Sequence, residues 1–205
     1  MSRFAVGAAR TKLLTLEDWA QLDEDVEGEL VDGTLEEEEM PSFLHEIIVS
    51  WLNEALRRWV RRRGGQVAGS ETKIAVGARR GRKPDLSVYL RSRLPALDDA
   101  LVRVTPYLVV EVTSPRPRDA RRDRVDKLRD YARTGIRYYW ILDPRLRTLE
   151  VFERAATARY SLALTASDGR VRIPGCHGLA LDLDALWKEI DDAARPRTKS
   201  RRSSR

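Results

Sequence analysis

The sequence predicts a mixed α/β fold, a central mixed β-sheet flanked by helices. Three observations predict it. A long stretch with helical spacing of apolar residues follows Ser42, four strand-like segments lie between residues 66 and 112, and a second helical stretch up to Thr134 leads into the strand Arg137–Leu142. Helix, three or four strands, helix, strand is the order of a sheet covered by helices.

The length of 205 residues fits one domain, assigned to residues 15–194, with an N-terminal extension (1–14) and a basic tail (195–205). With 42% hydrophobic and 34% charged residues, the chain has material for a real core. No apolar stretch approaches the roughly 18 residues of a membrane span, and the N-terminus lacks the apolar core of a secretory signal. A single cysteine, Cys176, excludes an internal disulfide and suits a cytoplasmic protein. One Cys and two His cannot build an ordinary structural zinc site, so Cys176 and His177 read as loop residues.

The net charge of +6 suggests nucleic acid until it is located. The tail from Arg195 to Arg205 holds five Arg, one Lys and no acid; without it, 32 basic residues face 32 acidic ones. Such a tail reads as disordered and adds non-specific phosphate affinity. The body is formally neutral.

Taken in order, Thr15–Leu22 begins with a capping residue and reads as a short helix. Asp32-Gly33 is a hairpin turn between two short strands within Glu29–Met40. Ser42 caps the long helix, whose stripe runs through Phe43, Ile47, Ile48, Trp51, Leu52, Ala55, Leu56 and Trp59 and ends near Gly64-Gly65. Strands follow at Gln66–Ser70, Thr72–Val76, Asp85–Leu90 and Tyr107–Val112. A helix over Asp119–Thr134 is closed by Gly135. Arg137–Leu142 and Leu149–Glu153 are strands, Tyr160–Leu164 and Val171–Ile173 weaker ones, and Asp184 to Ala194 is a last helix. Tyr139 and Trp140 read as core, and Asp143-Pro144 as a strand end.

The stretch LVVEVTSP, Leu108–Pro115, puts one glutamate into an apolar, β-prone run. A buried carboxylate is costly unless paired, protonated or metal-bound. Asp85, entered through Pro84 at the head of another strand, converges with Glu111 if the two strands are neighbours. Paired carboxylates suit Mg²⁺ or Mn²⁺. Otherwise Asp85 is a turn residue and Glu111 an ion-pair partner. Lys127 is one of six lysines among 38 basic residues, in a helix that elsewhere uses arginine. A compact ammonium can approach a water or a phosphate oxygen; the alternative is an i,i+4 pair with Asp123. Tyr131, one turn on, shares that face or only packs.

Together PD at 84–85, EVTS at 111–114, DxxxK at 123–127, Tyr131 and G-I-x-x-Y-W-I-L-D-P from Gly135 resemble the Uma-two family, endonuclease-like proteins of the PD-(D/E)XK superfamily. GELVDG at 28–33 and the early helix residue His45 match it too. The resemblance spans roughly residues 15 to 190 and implies a restriction-endonuclease-like core. It implies a metal-dependent endonuclease acting on DNA and leaving a 5′-phosphate, with Asp85, Glu111 and the backbone carbonyl of Val112 as ligands of Mg²⁺ or Mn²⁺. Thr113 stands where the superfamily's lysine would be, and Lys127 would replace it from the next helix. Glu29 is a third carboxylate or a solvated strand residue, and His45 a site or a helix residue. The Glu36–Glu39 run is expected to be a solvated face away from the DNA groove, since it would repel phosphates there. Cutting both strands of a duplex suggests a homodimer. The alternative is a non-catalytic nuclease-fold domain that binds nucleic acid or a partner protein, favoured by Thr113 and the neutral body.

Overall fold

The computed structural model describes residues 13–23, 26, 28–37, 40–114 and 122–195. The extension up to residue 12, Glu38 and Glu39 of the acidic run, the expected helix start at residues 119–121, and the tail beyond Arg195 lie outside the described residues.

Thr15 opens α1 (Leu16–Ala20) with a capping box: its hydroxyl accepts from the Asp18 amide at 3.0 Å, and Asp18 accepts from the Thr15 amide at 2.9 Å. The hairpin β1 (Glu29–Val31) and β2 (Thr34–Glu36) turns through Asp32 and Gly33 at φ of 51° and 86°, as its turn residues predict. Ser42 caps α2 (Phe43–Arg61). Most of the expected stripe is packed or half-buried, but Phe43 is 82% exposed. It sits in the first turn, where it overhangs the packed part of the stripe.

Two sheets follow. The larger is six-stranded, in the order β10-β9-β8-β7-β6-β3, from β3 (Gln66–Gly69), β6 (Leu86–Tyr89), β7 (Leu108–Val112), β8 (Tyr138–Asp143), β9 (Thr148–Arg154) and β10 (Tyr160–Ala166). Only β7 and β8 run parallel, and the chain crosses between them through a helix, as a parallel pair requires. One face carries α2 and the last helix, α4 (Leu183–Ala194), over Leu86, Val110, Trp140 and Leu142. The other buries Val109, Tyr139 and Ile141 under α3 (Leu128–Thr134), which Gly135 closes at φ 92°. β7 is therefore buried along its whole length, Glu111 included.

The smaller sheet, order β2-β1-β5-β4, adds β4 (Ile74–Gly77) and β5 (Arg80–Arg82) to the hairpin. β5 reads Arg-Gly-Arg and has no β-prone residue; pairing with β1 and β4 makes it a strand. Gly81 is required there, because a Cβ would stand 2.1 Å from the Trp19 ring, whose Nε1 donates to the Gly28 carbonyl at 3.0 Å. A two-stranded sheet of β11 (Arg170–Arg172) and β12 (Ala180–Asp182) precedes α4. Asp182 caps that helix, so it begins one residue before the sequence suggests.

The helix before α3 is not α-helical throughout. Arg122–Lys127 forms a π-helical stretch. Tyr139 Oη donates to the Asp123 carbonyl of this stretch at 3.0 Å, tying it to β8.

Two outcomes follow from this packing. Gly81→Ala should lose about 1–3 kcal/mol of unfolding free energy in urea titrations, because the Trp19 ring cannot move freely. Cys176 does lie in a loop, yet it is 1% exposed in the main core and burial pushes its thiol up to about 12. A thiol probe should therefore react with it only on unfolding.

Candidate functional site

β6 and β7 place the two carboxylates expected from the sequence. Leu86 pairs with Val110 in antiparallel register, so one step outward Asp85 comes level with Glu111, on the same face of the sheet. Pro84 ends the ladder on that side, and the Val112 amide donates instead to Asp85 Oδ2 at 2.7 Å. In a strand the N–H and C=O of one residue face the same neighbour, so the Val112 carbonyl is turned to the Asp85 side as well. Asp85 Oδ2 also lies 3.2 Å from His45 Nε2, near the start of α2. Burial opposes the imidazolium most strongly, but the Asp85 hydrogen bond and charge, with Glu46, outweigh it and raise the His45 pKa.

Glu111 is 4% exposed, and both its oxygens are engaged. Lys127 Nζ donates to Oε2 at 2.9 Å and Tyr131 Oη to Oε1 at 2.7 Å. The helix therefore does face the sheet with Lys127 and Tyr131 together. Lys127 Nζ is also 3.4 Å from Glu29 Oε1 and 3.6 Å from Asp123 Oδ1. The i,i+4 pair with Asp123 and the contact with Glu111 exist side by side. Thr113 is buried beside them.

Glu29 is fully buried, not a solvated strand residue. Its Oε2 accepts from Arg82 at 2.7 Å and its Oε1 from the Lys83 amide at 2.9 Å. Glu36, the first residue of the acidic run, is not remote from this point: the hairpin register sets it directly opposite Glu29, while Glu37 is exposed as expected of a solvated face.

Four carboxylates, those of Glu29, Asp85, Glu111 and Asp123, influence one another here. Burial, the largest influence, pushes the Glu111 carboxyl well above its usual range; Lys127 works against the rise, while Asp123, Asp85 and Glu29 add to it. Burial likewise raises Asp123 beyond what Lys127 and Arg122 offset. Burial acts upward on Glu29 too, but Lys127, Arg82, the Lys83 amide and Arg122 together hold it below its ordinary value. The negative charge is thus well compensated at Glu29 and poorly at Glu111 and Asp123.

That imbalance and the donor chemistry fit a divalent cation. Asp123 Oδ1 is buried without a hydrogen-bond partner, and all donors are oxygens, the preference of Mg²⁺ and Mn²⁺. Among the described residues no three His, Cys, Asp or Glu side chains form a ready-made cage. Mg²⁺ needs none, since it keeps several waters and takes one or two carboxylates with substrate oxygens. Asp123 was legible from sequence only as a helix partner of Lys127. Arg82 and Asp130 carried no signal, since a buried arginine in an Arg-rich chain looks like any other.

A family model, Uma2, described as "Putative restriction endonuclease", matches residues 13–184. The chain belongs to the Uma2 family. The Uma2 chain is also similar to a solved structure from Anabaena variabilis titled a "putative nuclease belonging to DUF820". The two share 21% identity and a TM-score of 0.71, over 85% of this chain and 98% of that one. At that identity the likeness concerns the fold, and it agrees with the mixed α/β architecture expected from sequence. A second solved structure, the type IIG restriction endonuclease BpuSI, gives 16% identity and a TM-score of 0.35 over 60% of this chain and 13% of that one. No curated protein matches. No helix among the described residues is long and apolar enough to cross a membrane.

Lys127→Met strips the shared ammonium from three buried acids and should cost about 3–5 kcal/mol in chemical denaturation, as for an uncompensated buried charge. Adding Glu111→Gln should recover part of that loss.

Proposed function

We propose that this Uma2 chain is a metal-dependent endonuclease that hydrolyses DNA phosphodiester bonds. The observation that carries the reading is the meeting of Asp85 and Glu111 at the ends of neighbouring strands, with Lys127 reaching Glu111 at 2.9 Å from the following helix. The family's description supports the reaction class.

Asp85, Glu111 and the Val112 carbonyl would hold Mg²⁺ or Mn²⁺, which when bound polarises a phosphodiester and eases ionisation of a water. The protein's own groups do the rest. His45 and the Val112 amide fix Asp85, and Tyr131 fixes Glu111, so both carboxylates are preoriented. Lys127 offers an ammonium beside Glu111, able to orient the attacking water or to stabilise charge developing on phosphate oxygens. It supplies the cation that Thr113 cannot. Glu29 and Asp123 hold Lys127 from its other sides. Two such sites in a homodimer would serve both strands of a duplex.

A non-catalytic domain that binds a partner protein is favoured by one observation, Glu36 set opposite Glu29, a further negative charge that would repel a DNA backbone. One experiment separates the readings. Wild type, Asp85→Ala and Glu111→Ala are incubated with supercoiled plasmid and single-stranded DNA in Mg²⁺ or Mn²⁺. The nuclease reading expects metal-dependent nicking that falls by about a hundredfold or more in each folded variant. Unchanged cleavage in either variant removes that residue from the site, and no cleavage by wild type moves the choice to the binding domain.

A further inference from the structure

Beyond the proposed ligands, a chain of alternating charges runs from the hairpin tip into the site. Asp32 holds Arg80 at 2.6 Å, and Arg80 reaches both oxygens of Asp130 at 3.1 Å. Arg82 donates to Asp130 Oδ2 through Nε at 3.0 Å and a terminal nitrogen at 2.6 Å, and through its other arm to Glu29 Oε2 at 2.7 Å. Glu29 stands 3.4 Å from Lys127, and Lys127 2.9 Å from Glu111. Arg82 is the middle link. It is 1% exposed, on β5, and it joins the small sheet to the helix that carries Lys127 and Tyr131.

We propose that Arg82 is a positioning residue for Lys127. By occupying Glu29 Oε2 it leaves Glu29 a weak competitor, so that the Lys127 ammonium rests on Glu111 instead. Two facts argue for this. Glu29 and Glu111 are both buried acids within reach of one ammonium, yet Lys127 lies 0.5 Å nearer Glu111, its distances being 2.9 and 3.4 Å. And Glu29 already has a guanidinium and a backbone amide, whereas Glu111 has only a tyrosine hydroxyl besides Lys127 among its hydrogen-bond donors in the described structure. An ammonium shared by several acids settles where it replaces most missing charge. Without the Arg82 fork, Glu29 becomes the needier acid and draws Lys127 away from the reacting position.

This inference rests on the nuclease reading only for its rate arm. The decisive variant is Arg82→Lys, in which a compact ammonium keeps the charge but cannot serve Glu29 and Asp130 with a planar fork. Its fold is checked by circular dichroism and thermal unfolding. Two quantities are then measured in the full chain: cleavage at saturating Mn²⁺, and Mn²⁺ affinity by calorimetry without DNA. Displacing Lys127 should slow cleavage by about tenfold or more. It should leave Mn²⁺ bound at least as tightly as in wild type, because Glu111 is then less screened. General loosening would instead weaken both, and a fall in Mn²⁺ affinity overturns the proposal. The double variant Arg82→Lys, Glu29→Gln removes the competing charge and should regain most of the lost rate; failure to do so also overturns it. If wild type cuts no DNA, the nuclease reading falls, and the Mn²⁺ arm alone decides: tighter binding in Arg82→Lys supports the proposal, and unchanged or weaker binding overturns it.

Discussion

One ammonium shared among three buried carboxylates is the constraint around which the site is built. Lys127 lies within 3.6 Å of Glu29, Glu111 and Asp123, in surroundings where an isolated charge would be prohibitively costly. Each acid comes from a different element: β1, β7 and the π-helical stretch. Any of the three that moves away from Lys127 is left a buried acid without that cation. The two sheets and the crossover helix thus meet at this ammonium and again where Arg80 and Arg82 hold Asp130, while apolar packing on either face of β7 supplies the bulk of the stability.

Compensation is uneven across the donor set. Around Arg82 the charges close: Asp130 receives two of its hydrogen bonds, and Glu29 receives a third together with the Lys83 amide. Around Glu111 they do not, and Asp123 keeps a buried oxygen without a hydrogen bond. A structural network would gain by closing the second half as it closes the first. The proposed Mg²⁺ or Mn²⁺ would supply the missing positive charge where the two strands end.

Much of this was legible in the sequence because it is local. The turn at Asp32-Gly33, the Ser42 cap, the crossover helix and the buried run around Glu111 follow from residues within a few positions of one another. The meeting of Asp85, Glu111 and Lys127 was legible through motif order. What escaped depends on contacts across the chain. Arg82 meets Glu29 from 53 positions away and Asp130 from 48, and nothing in Arg-Gly-Arg marks it as a buried strand. The acidic run was expected far from the site because its charge is wrong for DNA, but hairpin register leaves Glu36 no choice once Glu29 is placed. Phe43 fits the helical period and is exposed all the same, since periodicity does not say where the partner surface ends. The π-helical stretch gave no sequence signal, and its contact with Tyr139 comes from a strand 16 positions on.

The parallel pairing of β7 and β8 also bears on how the chain reaches its fold. The central strands cannot pair until the crossover between them has formed, and such non-local closure is slow. The charged centre mixes short and long closures, since Lys127 meets Glu111 from 16 positions away but Arg82 meets Glu29 from 53. A collapsed intermediate with the large sheet formed and the small one undocked would bury Glu111 and Lys127 while Glu29 and Arg82 remained in water. Docking the small sheet is what brings Glu29 and Arg82 to Lys127 and Asp130, and a hairpin one residue out of register would turn the Glu29 carboxylate to the opposite face.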